Sequence, residues 1–174
     1  MPDEMRNTVF LALVFLLSGC VNPFAPRLTN QLENADLIIT PQKTPDEVLQ
    51  NFKVAYAFRD SLLYSNLLDT GFMFVFFDPN EGTSGMFISW LRNDDLRTTG
   101  RLFRHFQVIQ LIWKSTIYAS MDTTGGKADI SKEYHLTLTG TDSDYRLTGR
   151  AVFSFRKCTD EKWRIVCWKD ESDL

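Results

Sequence analysis

From residue 107 onward apolar and polar side chains alternate, and a period of two commits this half of the chain to long, half-buried strands. Over residues 107–118, Ile109, Leu111, Trp113 and Ile117 share one face while Gln110, Lys114 and Thr116 share the other. Tyr134, Leu136 and Leu138 then alternate with His135, Thr137 and Thr139. Leu147, Ala151, Phe153 and Phe155 alternate with Thr148, Arg150, Ser154 and Arg156. Turn signals at Gly125-Gly126, residues 142–144 and residues 159–162 separate these runs, and residues 163–169 make a final strand. Four strands in a meander are the expected result.

Ahead of the meander the period changes. Thr44, Pro45 and Glu47 form the pattern TPDE: an N-cap, a proline at the first helical position and a capping-box acid. Val48, Leu49, Phe52, Ala55 and Tyr56 recur at helical spacing, with Arg59 in phase, so this helix has an apolar face. A second short helix is predicted over residues 60–68, with Leu62, Leu63, Leu67 and Leu68 inward and Gly71 as its stop. Residues 72–77 are an unbroken apolar run closed by the turn DPNEG, and residues 86–91 return as its hairpin partner. A third helix is predicted over residues 94–103, capped by Asn93 or Asp94 and burying Leu96, Leu102, Phe103 and Phe106. Thr98, Thr99 and Gly100 lower its propensity. Two helices, a hairpin, a helix and four strands predict an α+β layer fold, one curved sheet wrapping its apolar face around the helices.

The start of the chain has a separate logic. Residues 10–17, FLALVFLL, are too short for a bilayer span, which needs roughly 20 residues. They suit the apolar core of a signal peptide, about 7–15 residues long. The ending LSGC resembles the lipobox of bacterial lipoproteins. That resemblance implies a lipoprotein signal peptide over residues 1–19, cleavage before Cys20, and Cys20 as the lipid-attachment residue. Each acyl CH₂ buried in a membrane then contributes ~0.8 kcal/mol to anchoring. The other reading is a buried N-terminal helix that ends in Gly-Cys. Asp3 and Glu4 are unusual before a signal core, and a start at Met5, with Arg6 as the positive end, stands beside Met1. In Gram-negative lipoproteins an Asp after the cysteine favours inner-membrane retention. Val21 stands there instead, which implies the cell envelope and the periplasmic face of the outer membrane. Residues 20–44, with Pro23, Pro26 and Pro41, read as the lipidated cysteine and a tether, residues 37–39 packing on the domain that spans 45–174. A net charge of −3 without a basic stripe argues against nucleic acid as a partner.

The stretch TPDEVLQNFKVAYAFRDSLLYSNLLDTGFMFVF, with Ala55-Tyr56, Arg59-Asp60, Tyr64, Leu67-Leu68 and Phe72, resembles small bacterial lipoproteins that carry an NTF2-like domain. The resemblance covers residues 45–170 and implies a cone: a curved, mainly antiparallel sheet wrapped around three N-terminal helices. It also implies a pocket between the helices and the concave face. Tyr56, Asp60 and Tyr64 are the candidate pocket residues, with Asp69, His105 and His135 as further polar groups. Steroid isomerases of this superfamily use a helix tyrosine and a wall acid, and Tyr56 resembles the former. No motif marks the matching acid, so no catalytic residue is assigned. Fold alone does not carry an activity.

Each polar candidate also has a structural role. Asp60 is expected to cap the second helix while Arg59 pairs with an acid. Asp78, Asp94 and Asp95 read as solvated turn acids, His105 as a complement to a helix C-terminus, and His135 as exposed. Neither histidine has a second at ligand spacing, so neither metal nor cofactor is expected. A turn at residues 159–162 sets Cys158 opposite Trp163 and Cys167 opposite Ser154, too far apart for a direct disulfide. Two free thiols are favoured, a bulge-shifted disulfide being the alternative.

Fourteen Phe and four Trp exceed the needs of a thin core. Phe72, Phe74 and Phe76 share one strand face and Met73, Val75 and Phe77 the other, so one set must meet the tether, a second copy in a homodimer, or a hydrophobic ligand. The favoured reading is a non-catalytic envelope lipoprotein, bound to the membrane through its lipid anchor, that binds a small apolar ligand or another envelope protein. The alternative is a pocket enzyme performing acid–base chemistry on a small hydrophobic substrate. A buried carboxylate or histidine hydrogen-bonded to Tyr56 or Tyr64 in an open cavity would favour the enzyme.

Overall fold

The computed structural model describes residues 38–122 and 124–172. The expected signal peptide, Cys20 and the tether up to Leu37 lie outside the described residues. Helix α1 spans Pro45–Phe58. Thr44 is its extended N-cap, and the Thr44 hydroxyl accepts from Glu47 N at 3.2 Å. The Glu47 carboxylate reaches one residue further than a capping box requires and accepts from Lys43 N at 2.6 Å. The helix ends at Arg59, whose left-handed φ of 56° permits Asp60 N to donate to Ala55 O and Arg59 N to Tyr56 O. Arg59 was expected to meet an acid. Its guanidinium instead donates to the carbonyl of Phe106 at 3.1 Å, tying this corner to the residue that follows the third helix.

Helix α2, Ser61–Leu67, is capped by Asp60 as expected, the carboxylate accepting from Leu62 N and Leu63 N. Tyr64 and Leu67, nearly one turn apart, take the inward face. Leu62 falls on the opposite flank and is 73 % exposed, contrary to expectation. Gly71 does not end the helix, because Leu68 already adopts extended geometry and opens strand β1, Leu68–Asp78. Strand β2, Met86–Leu91, pairs antiparallel with it from Met73↔Leu91 to Asp78↔Met86. Helix α3 begins two residues before the expected start and spans Arg92–His105. Neither Asn93 nor Asp94 caps it; Leu91 holds that position without a side-chain bond, and Asp94 and Asp95 fall in the first turn. Thr99 and Gly100 are buried, so these two small residues pack against the interior rather than interrupt the helix.

Strands β3 (Val108–Asp122), β4 (Lys127–Thr139), β5 (Asp144–Lys157) and β6 (Trp163–Ser172) complete one six-stranded sheet. Its order is β2-β1-β6-β5-β4-β3. All pairs are antiparallel except β1 with β6. Pairing irregularities interrupt β1/β6, β3/β4 and β5/β6, and each adds local twist and bend. Those around Thr116 carry Ile117 out of phase: expected inward, it is 49 % exposed. The irregularity in β5/β6 keeps Cys167 opposite Ser154 while Lys157, not Cys158, stands opposite Trp163. Both thiols are free.

Val48, Leu49, Phe52, Ala55 and Tyr56 of α1 enter one core with Phe72, Phe74, Leu111, Ile130, Phe153, Phe155 and Ile165 of the sheet. The Phe72, Phe74 and Phe76 face is the inward one. Met73 and Phe77 lie exposed on the other, where the rings of Phe77 and Phe87 meet edge to face at 5.4 Å. Ile38 and Ile39 do not cover this patch. Both are exposed, with Gln50 bound to Ile38 O beside α1. Fully buried Asn51 fixes the next residue, accepting from Thr40 N at 2.7 Å and donating to Thr40 O at 3.0 Å. Replacing it leaves those backbone groups unpaired, so Asn51→Ala is expected to cost ~1–3 kcal/mol in urea unfolding.

Candidate functional site

The bend of the sheet leaves a cavity of about 200 Å³ between α1, α3 and the inward faces of β1, β3, β4, β5 and β6. Phe52 and Tyr56 reach it from α1, and Leu102 from α3. Strand alternation delivers Leu111 and Trp113, Tyr134 and Leu136, and Trp168 and Asp170, each pair two residues apart. The walls are mostly apolar, and the charged group among them is Asp170. The Tyr134 hydroxyl donates to the Asp170 carboxylate at 3.0 Å. Trp113 donates its indole N–H to Leu49 O at 3.0 Å, which fixes that ring against α1. The indole N–H of Trp168 is buried without a protein partner.

Of the three candidate pocket residues, Tyr56 alone lines this cavity. Asp60 is spent on capping α2 and is exposed. Tyr64 is buried behind Tyr56, the rings 5.8 Å apart, and its hydroxyl donates to Asp95 at 2.7 Å. Asp95 also accepts from the Trp90 indole at 3.2 Å and is 2 % exposed, not the solvated turn acid expected. The reason is the early start of α3, which puts Asp95, Thr99 and Phe103 on successive inward turns. Burial raises the pKa of Tyr56 far above the ordinary phenol value, with the Asp95 charge adding to it. Tyr64 is raised by burial and then by its neighbours Tyr56 and Asp95. Burial also raises Asp95, against the hydrogen bonds from Tyr64 and Trp90. The phenols therefore remain hydroxyl donors at any physiological pH.

Asp170 and Tyr134 are the polar cavity residues that sequence reasoning did not single out. Tyr134 was placed only on a strand face shared with Leu136 and Leu138. Asp170 lies one residue beyond the expected end of the last strand, yet in phase with Trp168. Continuing the alternation would have found it. Asp69 is buried outside the cavity, held by Arg156 at 2.7 Å and by Gly71 N at 2.9 Å. His105 stands in the last turn of α3, as expected, and His135 is exposed. Among the described residues no group of three or more His, Cys, Asp or Glu side chains is arranged to hold a metal.

No family model and no curated protein matches the chain. Solved structures do. A candidate dehydratase of the NTF2-like family from Streptomyces avermitilis is 19 % identical with a TM-score of 0.57, the match covering 75 % of this chain and 99 % of that one. A candidate scytalone dehydratase from Novosphingobium aromaticivorans is 12 % identical with a TM-score of 0.60, covering 74 % and 81 %. An NTF2-like superfamily protein from Salmonella enterica serovar Typhimurium is 17 % identical with a TM-score of 0.57, covering 74 % and 87 %. At these identities the likeness shows the fold alone: the domain has the fold of these NTF2-like structures.

A carboxyl raised by burial stabilises the fold most below the ordinary Asp pKa, and that contribution is lost as pH rises through the raised folded value. The stability of the parent protein relative to Asp95→Asn is therefore expected to fall as pH rises from about 3 to about 7. Thermal unfolding of both proteins across that range measures it.

Proposed function

We propose that the domain binds a small, mainly apolar molecule in this cavity and does no chemistry on it. The observation that carries this reading is the apolar cavity itself, walled by α1, α3 and the sheet, with Tyr134–Asp170 as its polar fixture. Such a site is the usual form of a ligand pocket: apolar walls with few placed polar groups. Asp170 accepts a hydrogen bond from the ligand. The lining contains one carboxylate and two phenols, with no imidazole or second acid among the described residues to relay a proton. That composition supports holding rather than turnover.

Acid–base catalysis on a hydrophobic substrate is the second reading, and the Tyr134–Asp170 pair is what favours it. In that reading Asp170 takes a proton from the substrate and a wall tyrosine supports the developing oxyanion. The buried Tyr64–Asp95 pair is of the kind that would favour an enzyme, but neither residue lines the cavity.

The neutral alcohol 3,3-dimethyl-1-butanol is expected to shift the indole N–H resonances of Trp113 and Trp168 in a saturable manner. Leu147→Trp, which fills part of the cavity, is expected to weaken that binding at least tenfold. Unmoved indole signals at millimolar alcohol would refute the pocket.

The proposal extends to location. The LSGC ending supports a lipid-anchored protein of the bacterial cell envelope, on the periplasmic face of the outer membrane in a two-membrane host. The exposed Phe77–Phe87 patch supports either a homodimer or contact with another envelope protein. Intact mass of the membrane-extracted protein is expected to show loss of residues 1–19 and fatty acylation of Cys20, both abolished in Cys20→Ala.

A further inference from the structure

We propose that the cavity's ligand is a small single-ring aromatic molecule, which rests on the cavity being a ligand site. Six of the lining side chains carry aromatic rings: Phe52, Tyr56, Phe74, Trp113, Tyr134 and Trp168. The rest of the apolar lining is leucine, which attracts any apolar surface by dispersion and without regard to direction. A ring has a negative face and a positive edge, so it also responds to the quadrupole of its neighbour.

The wall rings are set so that one guest ring can use both favoured arrangements of aromatic pairs. Trp168 stands at 85° to Phe52, with centroids 5.4 Å apart, and at 81° to Phe74, at 4.7 Å. A guest lying parallel to Trp168 therefore stands nearly perpendicular to Phe52 and Phe74. A guest lying parallel to either phenylalanine stands nearly perpendicular to Trp168. Trp113, tilted 52° from Phe52, adds a third direction. Offset stacking and edge-to-face contact are thus available to the same aromatic guest, and a saturated ring makes neither.

Size and rigidity favour the same class. An apolar cavity of about 150 Å³ is enough to hold benzene. At about 200 Å³ this cavity suits one ring with a short substituent. The walls are held before a guest arrives: Trp113 donates its indole N–H to Leu49 O at 3.0 Å, and Phe52 stacks on Tyr56 at 4.7 Å. Fixed walls favour a rigid, flat guest over a flexible one that loses conformational freedom on entry.

Benzyl alcohol and cyclohexylmethanol share a skeleton and a hydroxymethyl group, and differ in whether the ring is aromatic. Both are uncharged, so the polar surroundings of Tyr134 and Asp170 are common to the two. Cyclohexylmethanol is the more apolar, so hydrophobic burial alone would rank it first. Affinities are measured on the detergent-solubilised full chain from the Trp113 and Trp168 indole resonances, with the free alcohol fixed by equilibrium dialysis. Benzyl alcohol is expected to bind at least about threefold more tightly. Equal affinities, or a preference for cyclohexylmethanol, would overturn the aromatic assignment and leave the apolar pocket standing. Binding of neither would overturn the pocket as well. Phe74→Leu keeps an apolar side chain on β1 and removes one ring. It is expected to cost benzyl alcohol more affinity than cyclohexylmethanol, and equal losses would count against an aromatic ligand.

Discussion

Phe52 is the point from which this structure is organised. Its ring lies 4.7 Å from Tyr56, 5.4 Å from Tyr64 and 5.4 Å from Trp168, centroid to centroid, and 5.8 Å from both Trp113 and Phe153. Those partners belong to α1, α2, β3, β5 and β6. One side chain therefore couples both early helices to three strands that lie far from them in sequence. Aromatic pairs at such spacings stabilise by ~0.5–1.5 kcal/mol each beyond the area they bury. The abundance of rings has its explanation here, because a sheet bent away from its helices leaves a gap that leucines alone fill poorly.

The same bend that demands large rings also leaves the cavity. Phe52, Tyr56, Phe74, Trp113 and Trp168 serve both purposes, one part of each ring in the core and another on the cavity wall. Pocket and core are consequently not separable parts of this domain. Changes that loosen the packing of Phe52 alter the shape of the site, and the polar residues Tyr134 and Asp170 depend on aromatic neighbours for their positions.

Much of the fold was legible because its signals are local. Thr44, Pro45 and Asp60 announce helix starts through their own backbone chemistry, and the alternation around Tyr134 and Phe153 names the inward face of β4 and β5. Other features depend on partners far along the chain. Ile117 was misplaced because the irregularities near Thr116 arise only in pairing with β4. Asp95 was misread because α3 starts with no side-chain cap to mark it. The site was less visible than the fold for the same reason. Tyr134 and Asp170 are 36 positions apart and meet only across β5, so no local motif links them. Tyr56 was recognised through its helix face, whereas Asp60 and Tyr64 were drawn into capping and core duties.

The placement of β6 bears on biogenesis. It lies between β1 and β5, although it is the last of the described strands to be made. The β1–β2 hairpin and the β3–β4–β5 meander stay unjoined until residues Trp163–Ser172 leave the ribosome. Until then the sheet has two unfilled edges where its central strand will insert, open to chaperones or to mispairing. A nascent chain of this topology keeps the two parts of its sheet apart until its sixth strand is made.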